Sequence, residues 1–150
     1  MKTIKHFASG LLGLSLLAAP VAASATGGVW CDAKDDNLSF SFKASSSRDG
    51  TGGWWGFEGS LESKIAGLPA NLAKFDIKDK NLTERWWDRT DVRLIVQQVG
   101  TEAQNFASVR LTVMAIALEE ADYKGPYELR ILMPDGSDVT KGGIVTCSAD

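Results

Sequence analysis

The sequence predicts an all-β fold: one antiparallel β-sandwich or small closed barrel of about seven to eight strands. Three observations predict it. Short runs alternate apolar and polar side chains, the two-residue period that sets one face of a strand against a core and the other in water. Turn-forming clusters of Gly, Pro, Asp and Ser separate these runs at short intervals. No internal repeat, coiled-coil heptad or shift in composition divides the chain, so the runs belong to a single all-β domain, residues 26–150.

Residues 1–25 read as a secretory signal peptide. Lys2 and Lys5 supply a positive start, residues 7–19 are apolar and leucine-dense, Pro20 breaks the run, and Ala23-Ser24-Ala25 offers small residues for cleavage after Ala25. The apolar run is shorter than the ~20 residues a spanning helix needs, so no membrane span is expected. The location implied is periplasmic or secreted, and the general look is that of a small envelope protein of a Gram-negative bacterium. Cys31 and Cys147 are the two cysteines, and an exported chain pairs them. Such a bridge brings the chain ends together, with Cα atoms within ~7 Å.

The elements follow in order. Residues 37–43 form a strand with Leu38, Phe40 and Phe42 inward; 44–53, rich in Ser and Gly, is a flexible loop. Residues 54–62 form a strand with Trp55, Phe57, Gly59 and Leu61 inward. Trp54, Glu58, Ser60 and Glu62 face outward, and Gly56 and Gly59 hint at a bend or a close backbone approach. Residues 65–72 connect through a short helical turn to a strand at 75–78, with Phe75 and Ile77 inward. Residues 79–91 make a polar crossover that holds Trp86 and Trp87, and 92–99 is a strand.

Residues 109–118 are the most apolar run. Both parities are apolar over its second half, which predicts a central strand covered on both faces, with 92–99 and 127–133 as neighbours. A helix competes here. Thr101 and Gln104 match a capping box, and Phe106, Val109, Val113, Ile116 and Ala117 recur at helical spacing. A helix over about 102–121 makes the fold α+β; β-branched Val109, Thr112, Val113 and Ile116 favour the strand. Gly125-Pro126 punctuates, 127–133 is a strand, Pro134-Asp135-Gly136 is a turn, and Gly142-Gly143 leads into a short last strand at 144–147. Charged outward positions such as Lys43, Glu58, Glu62, Glu128 and Arg130 argue against a barrel embedded in the outer membrane.

Composition narrows the chemistry. The one histidine, His6, lies in the signal segment, so the remaining chain has no imidazole for Ser-His or Cys-His catalysis or for zinc. Beyond Lys2 and Lys5, 14 basic residues face 19 acidic ones, a net charge of −5 with no basic cluster, which excludes nucleic acid as an expected partner. Glu58 and Glu62 share a strand face roughly 13 Å apart, beyond the ~5–9.5 Å of paired glycosidase carboxylates. Asp32, Asp35 and Asp36, and Asp135 with Asp138, are the calcium candidates. They read first as turn or solvated clusters, so no metal and no cofactor are expected.

The tryptophan pairs are the positive signal. Trp54, beside the 44–53 loop, reads as an exposed ring among polar groups. The predicted binding residues are Trp54, Trp86, Trp87, Glu58 and Arg48. The chain thus reads as an exported binding or interaction module without catalytic activity, its partner an unidentified protein or glycan. A carboxylate-based carbohydrate-active protein and a structural envelope protein are the alternatives. Nothing in the sequence speaks to oligomeric state.

Overall fold

The computed structural model describes residues 26–47, 53–88, 90–119 and 121–149. The signal segment lies outside them. The strands are β1 (Thr26–Lys34), β2 (Leu38–Ser47), β3 (Trp55–Ser63), β4 (Lys74–Asp76), β5 (Leu82–Trp87), β6 (Asp91–Val99), β7 (Ser108–Glu119), β8 (Asp122–Leu132) and β9 (Asp138–Ala149). One short helix, α1 (Ala70–Ala73), precedes β4.

All nine strands join one antiparallel sheet in the order β4-β3-β2-β1-β9-β8-β7-β6-β5, curled into a half-barrel. The first and last strands therefore lie side by side in the middle of the sheet. The two edge strands, β4 and β5, are consecutive in sequence. All-β is thus the fold class, in one sheet with a sandwich- or barrel-like shape.

Alternation builds the core. Leu38, Phe40 and Phe42 of β2, Leu94 and Val96 of β6, Val109, Leu111 and Val113 of β7, and Leu129 and Ile131 of β8 all turn to the concave face and are buried. Leu72 of α1 is fully buried and covers one end of this core. Cys31 and Cys147 stand directly opposite each other on β1 and β9 and form the expected disulfide, Cα to Cα 4.0 Å. At the seam between the edge strands, the Arg85 guanidinium of β5 lies over the Phe57 ring of β3, 4.9 Å from its centroid.

The 109–118 run is a strand, not a helix. The capping box closes only a 3-10 turn, Glu102–Gln104, because Asn105 and Phe106 both adopt left-handed backbone (φ 50° and 53°) and turn the chain into β7. The expected neighbours flank it: β6 and β8. Its second half is not covered on both faces, however. Met114, Ile116 and Leu118 point outward and are 53 %, 63 % and 63 % exposed.

Several boundaries also move. Residues 26–34 form a strand for which Gly27-Gly28 gives little signal. Residues 44–47 extend β2, and residues 48–52 of the expected flexible loop lie outside the described residues. Part of the 79–91 crossover is strand β5, which pairs with β6 although none of its side chains is fully buried. Gly125-Pro126 and Gly142-Gly143 lie inside β8 and β9 rather than between strands. Gly125 is required there because a Cβ would collide with the Met114 carbonyl oxygen of β7. Gly143 leaves room for the Tyr127 ring, which lies over it from the paired position on β8.

Candidate functional site

The outer face of β1, β2 and β3 carries a groove of about 390 Å³ lined by Trp30, Lys43, Ser45 and Glu58 over a glycine floor. Register builds it. Trp30 pairs with Lys43 and Lys43 with Glu58, so these three alternate outward in one row. In the next row Gly28 pairs with Ser45, and Ser45 with Trp55. The six-membered ring of Trp30 leans over Gly28, where a Cβ would come within 2.8 Å of it. Gly28 is thus the residue that lets the indole lie along the sheet. Lys43 and Glu58 form an ion pair at 2.8 Å with both heads in solvent. An exposed pair of this kind is worth at most about 1 kcal/mol, so its groups are free to regroup around a ligand.

The parity of the first tryptophan pair is the reverse of the expected one. Trp54 is 7 % exposed and packs against Phe42 (centroids 5.7 Å apart), while Trp55 is 44 % exposed. The cause is a β-bulge. Two steps along β2, from Lys43 to Ser45, span three along β3, from Trp55 to Glu58. The extra residue falls at Gly56, whose φ of 63° suits glycine. Everything before it changes face. Trp55 therefore joins Glu58 on the outside, and Trp54 joins the core.

The other predicted residues separate. Trp86 and Trp87 take opposite faces of β5. Trp86 is exposed on the outer surface. Trp87 turns inward at the open end and donates its indole N–H to the Tyr123 hydroxyl (2.9 Å), which donates in turn to the Asp88 carbonyl (3.1 Å). Trp54, Trp86 and Trp87 do not converge. Arg48 lies outside the described residues. Trp30 and Lys43 were not singled out by sequence, since the strand carrying Trp30 was itself hard to see. Its alternation with Cys31 was the available signal.

At the opposite end of the sheet a polar cluster closes the β1–β2 turn. Asp35 accepts the Asn37 and Leu38 amides (2.8 and 3.1 Å) and the Tyr127 hydroxyl (2.5 Å), and its carbonyl accepts Lys64 Nζ. Burial pushes the Asp35 carboxyl up. The Tyr127 hydroxyl, the two amides and the charge of Lys64 outweigh that and hold it below the usual carboxylate range. Burial and the bond to Asp35 push the Tyr127 hydroxyl up to about 12. Every partner in this cluster is supplied by the fold, and it reads as a structural clasp.

The acidic residues of the β8–β9 turn are also engaged by the fold. Asp135 accepts the Ser137 amide and hydroxyl, and Asp138 pairs with Arg130. Among the described residues no group of three His, Cys, Asp or Glu side chains is placed to hold a metal. Glu58 and Glu128 are kept apart by β2, β1 and β9. Comparison with family models, with curated proteins and with solved structures gives no match.

Proposed function

We propose that this chain is an exported, non-catalytic binding module of the bacterial envelope whose ligand is a glycan seated on the outer face of β1, β2 and β3. The observation that carries the reading is the glycine-floored groove in which Trp30 lies along the sheet beside Ser45, Lys43 and Glu58. An indole face accepts the C–H face of a sugar ring, and convergent polar groups beside it bind the hydroxyls. Trp55 stands two strands from Gly28 in the same row, ~9.6 Å at ~4.8 Å per strand, which suits a second sugar of one chain. The disulfide supports a location outside the cytoplasm. The pairing of Glu58 with Lys43, rather than with a second carboxylate, supports binding without hydrolysis.

Tryptophan fluorescence and calorimetry against peptidoglycan fragments and a panel of other glycans test it. Saturable binding is expected, weakened at least tenfold by Trp30→Ala and by Trp55→Ala with the melting temperature little changed. Absence of any spectral or melting shift with every glycan sinks the reading.

A further inference from the structure

One ion pair lines the glycine-floored groove, and it has a geometry that selects among sugars. Lys43 and Glu58 face each other across β2 and β3, and Trp30 stands beside Lys43 on β1. The other ion pairs among the described residues, Glu62–Lys74, Asp91–Arg93 and Arg130–Asp138, lie outside the groove. An ammonium and a carboxylate are thus held 2.8 Å apart, next to an indole that lies along the sheet. Both heads are more than half exposed, so the pair meets solvent along one side.

Such a pair offers a hydrogen-bond donor and an acceptor at one spacing. The ammonium has donors to spare and the carboxylate has free lone pairs, since their mutual bond uses one of each. Two hydroxyls on adjacent carbons of a pyranose ring, in the gauche arrangement, hold their oxygens at nearly the same separation. One can accept from Lys43 Nζ while its neighbour donates to Glu58, and the ion pair stays whole. Both new bonds are charge-assisted, the stronger kind. From this match, and resting on the glycan reading above, we infer that the groove reads a vicinal diol and that its ligand is a neutral hexose polymer with free hydroxyls on adjacent carbons. Trp30 takes the C–H face of the same ring, and Ser45, the next residue on the Lys43 face of β2, supplies a further hydroxyl.

Other sugar chemistries match the pair less well. An acidic sugar draws Lys43 away and leaves Glu58 facing a second carboxylate. An acetamido group carries its N–H and C=O on opposite sides, so it cannot meet both members of so close a pair without parting them. In chains of N-acetylated amino sugars joined through C4, the internal rings have no two free hydroxyls on adjacent carbons. With a diol, by contrast, each charge keeps its partner, and no unpaired charge loses water.

Calorimetry of the disulfide-bonded chain against dextran, a β-1,4-galactan and an α-1,6-mannan tests it, each polymer before and after periodate cleavage of its diols and borohydride reduction. Saturable binding of at least one untreated polymer is expected, weakened roughly tenfold or more by the periodate treatment. Laminarin, whose internal rings lack free hydroxyls on adjacent carbons, and polygalacturonate, which adds a carboxylate to its diol, should bind more weakly than the best of the three by a similar factor. Lys43→Ala and Glu58→Ala should each weaken binding likewise, with little change in melting temperature because an exposed pair contributes little to stability. Binding that survives periodate overturns the inference, as does laminarin or polygalacturonate bound as tightly as the best neutral polymer. So does binding that needs Trp30 but neither Lys43 nor Glu58; the glycan reading then stands and the diol falls. Failure of every polysaccharide to bind, peptidoglycan strands included, removes the glycan reading itself and the diol with it.

Discussion

Tyr127 and Asp35 show how one hydrogen bond ties distant parts of the sheet, since they are 92 residues apart in sequence. Asp35 has its carboxyl pulled below 3.8 in the folded chain, so it contributes stability that is whole above that value. The contribution is lost as pH falls through the lowered folded value. Tyr127 is raised, so its contribution is whole below 10 and fades as pH rises towards about 12. Tyr127→Phe is expected to cost about 1–2 kcal/mol at neutral pH in urea denaturation. The gap to the parent should narrow in strong acid, where Asp35 is protonated in both; a gap of constant size across that range would show that the pair is not its source. Sequence alone did not reveal this cluster. Asp35 reads locally as a turn residue, which it is, but its tyrosine partner is brought in by the β1–β9 and β8–β9 ladders.

Strands β7 and β8 come closer together at Gly125 than any side chain allows. Gly125→Ala should therefore destabilise the chain by about 1–3 kcal/mol or more, an overpacking cost read from the shift in thermal or urea midpoint. A neutral outcome would mean that the strands part freely there. The same glycine explains a misreading, because Gly-Pro is a turn signal only when no neighbouring backbone needs the space. Alternation placed the inward residues Leu38, Phe40 and Phe42 of β2, whereas in β7 two apolar parities read as two covered faces and only one of them is covered. It failed at Trp54 and Trp55, where the bulge at Gly56 shifts the count by one. A glycine in a strand announces that something is irregular without saying which side of it is displaced. It failed differently at β5, whose burial pattern is mostly exposed and so lacks the contrast on which the reading depends. The outward groove residues were half visible. Glu58 was read as outward, whereas Trp30 needed the register of a strand that the glycines hide.

For the molecule as a whole, the disulfide closes a separation of 116 residues. Chain-entropy arithmetic for a loop of that length gives an upper bound of about 4–5 kcal/mol. Replacing both cysteines by Ala should lower stability by a large part of that and make the melting temperature insensitive to reductant. A double variant as stable as the parent would assign the bridge no role in the folded state. The pairing and the closeness of the chain ends were readable from cysteine count alone, but strand order was not, because periodicity says which face a residue takes and never which strand lies beside it. That order divides the sheet into two meanders, β1–β4 and β5–β9, whose ladders meet only where β1 pairs with β9. The seam partners at the far edges, β4 and β5, share no ladder. Until β9 docks, the first meander has one flank bare, since β9 is the strand that mates the two halves. Folding is thus gated by β9: the sheet is completed, and Cys31 reaches Cys147, only when that strand inserts between β1 and β8.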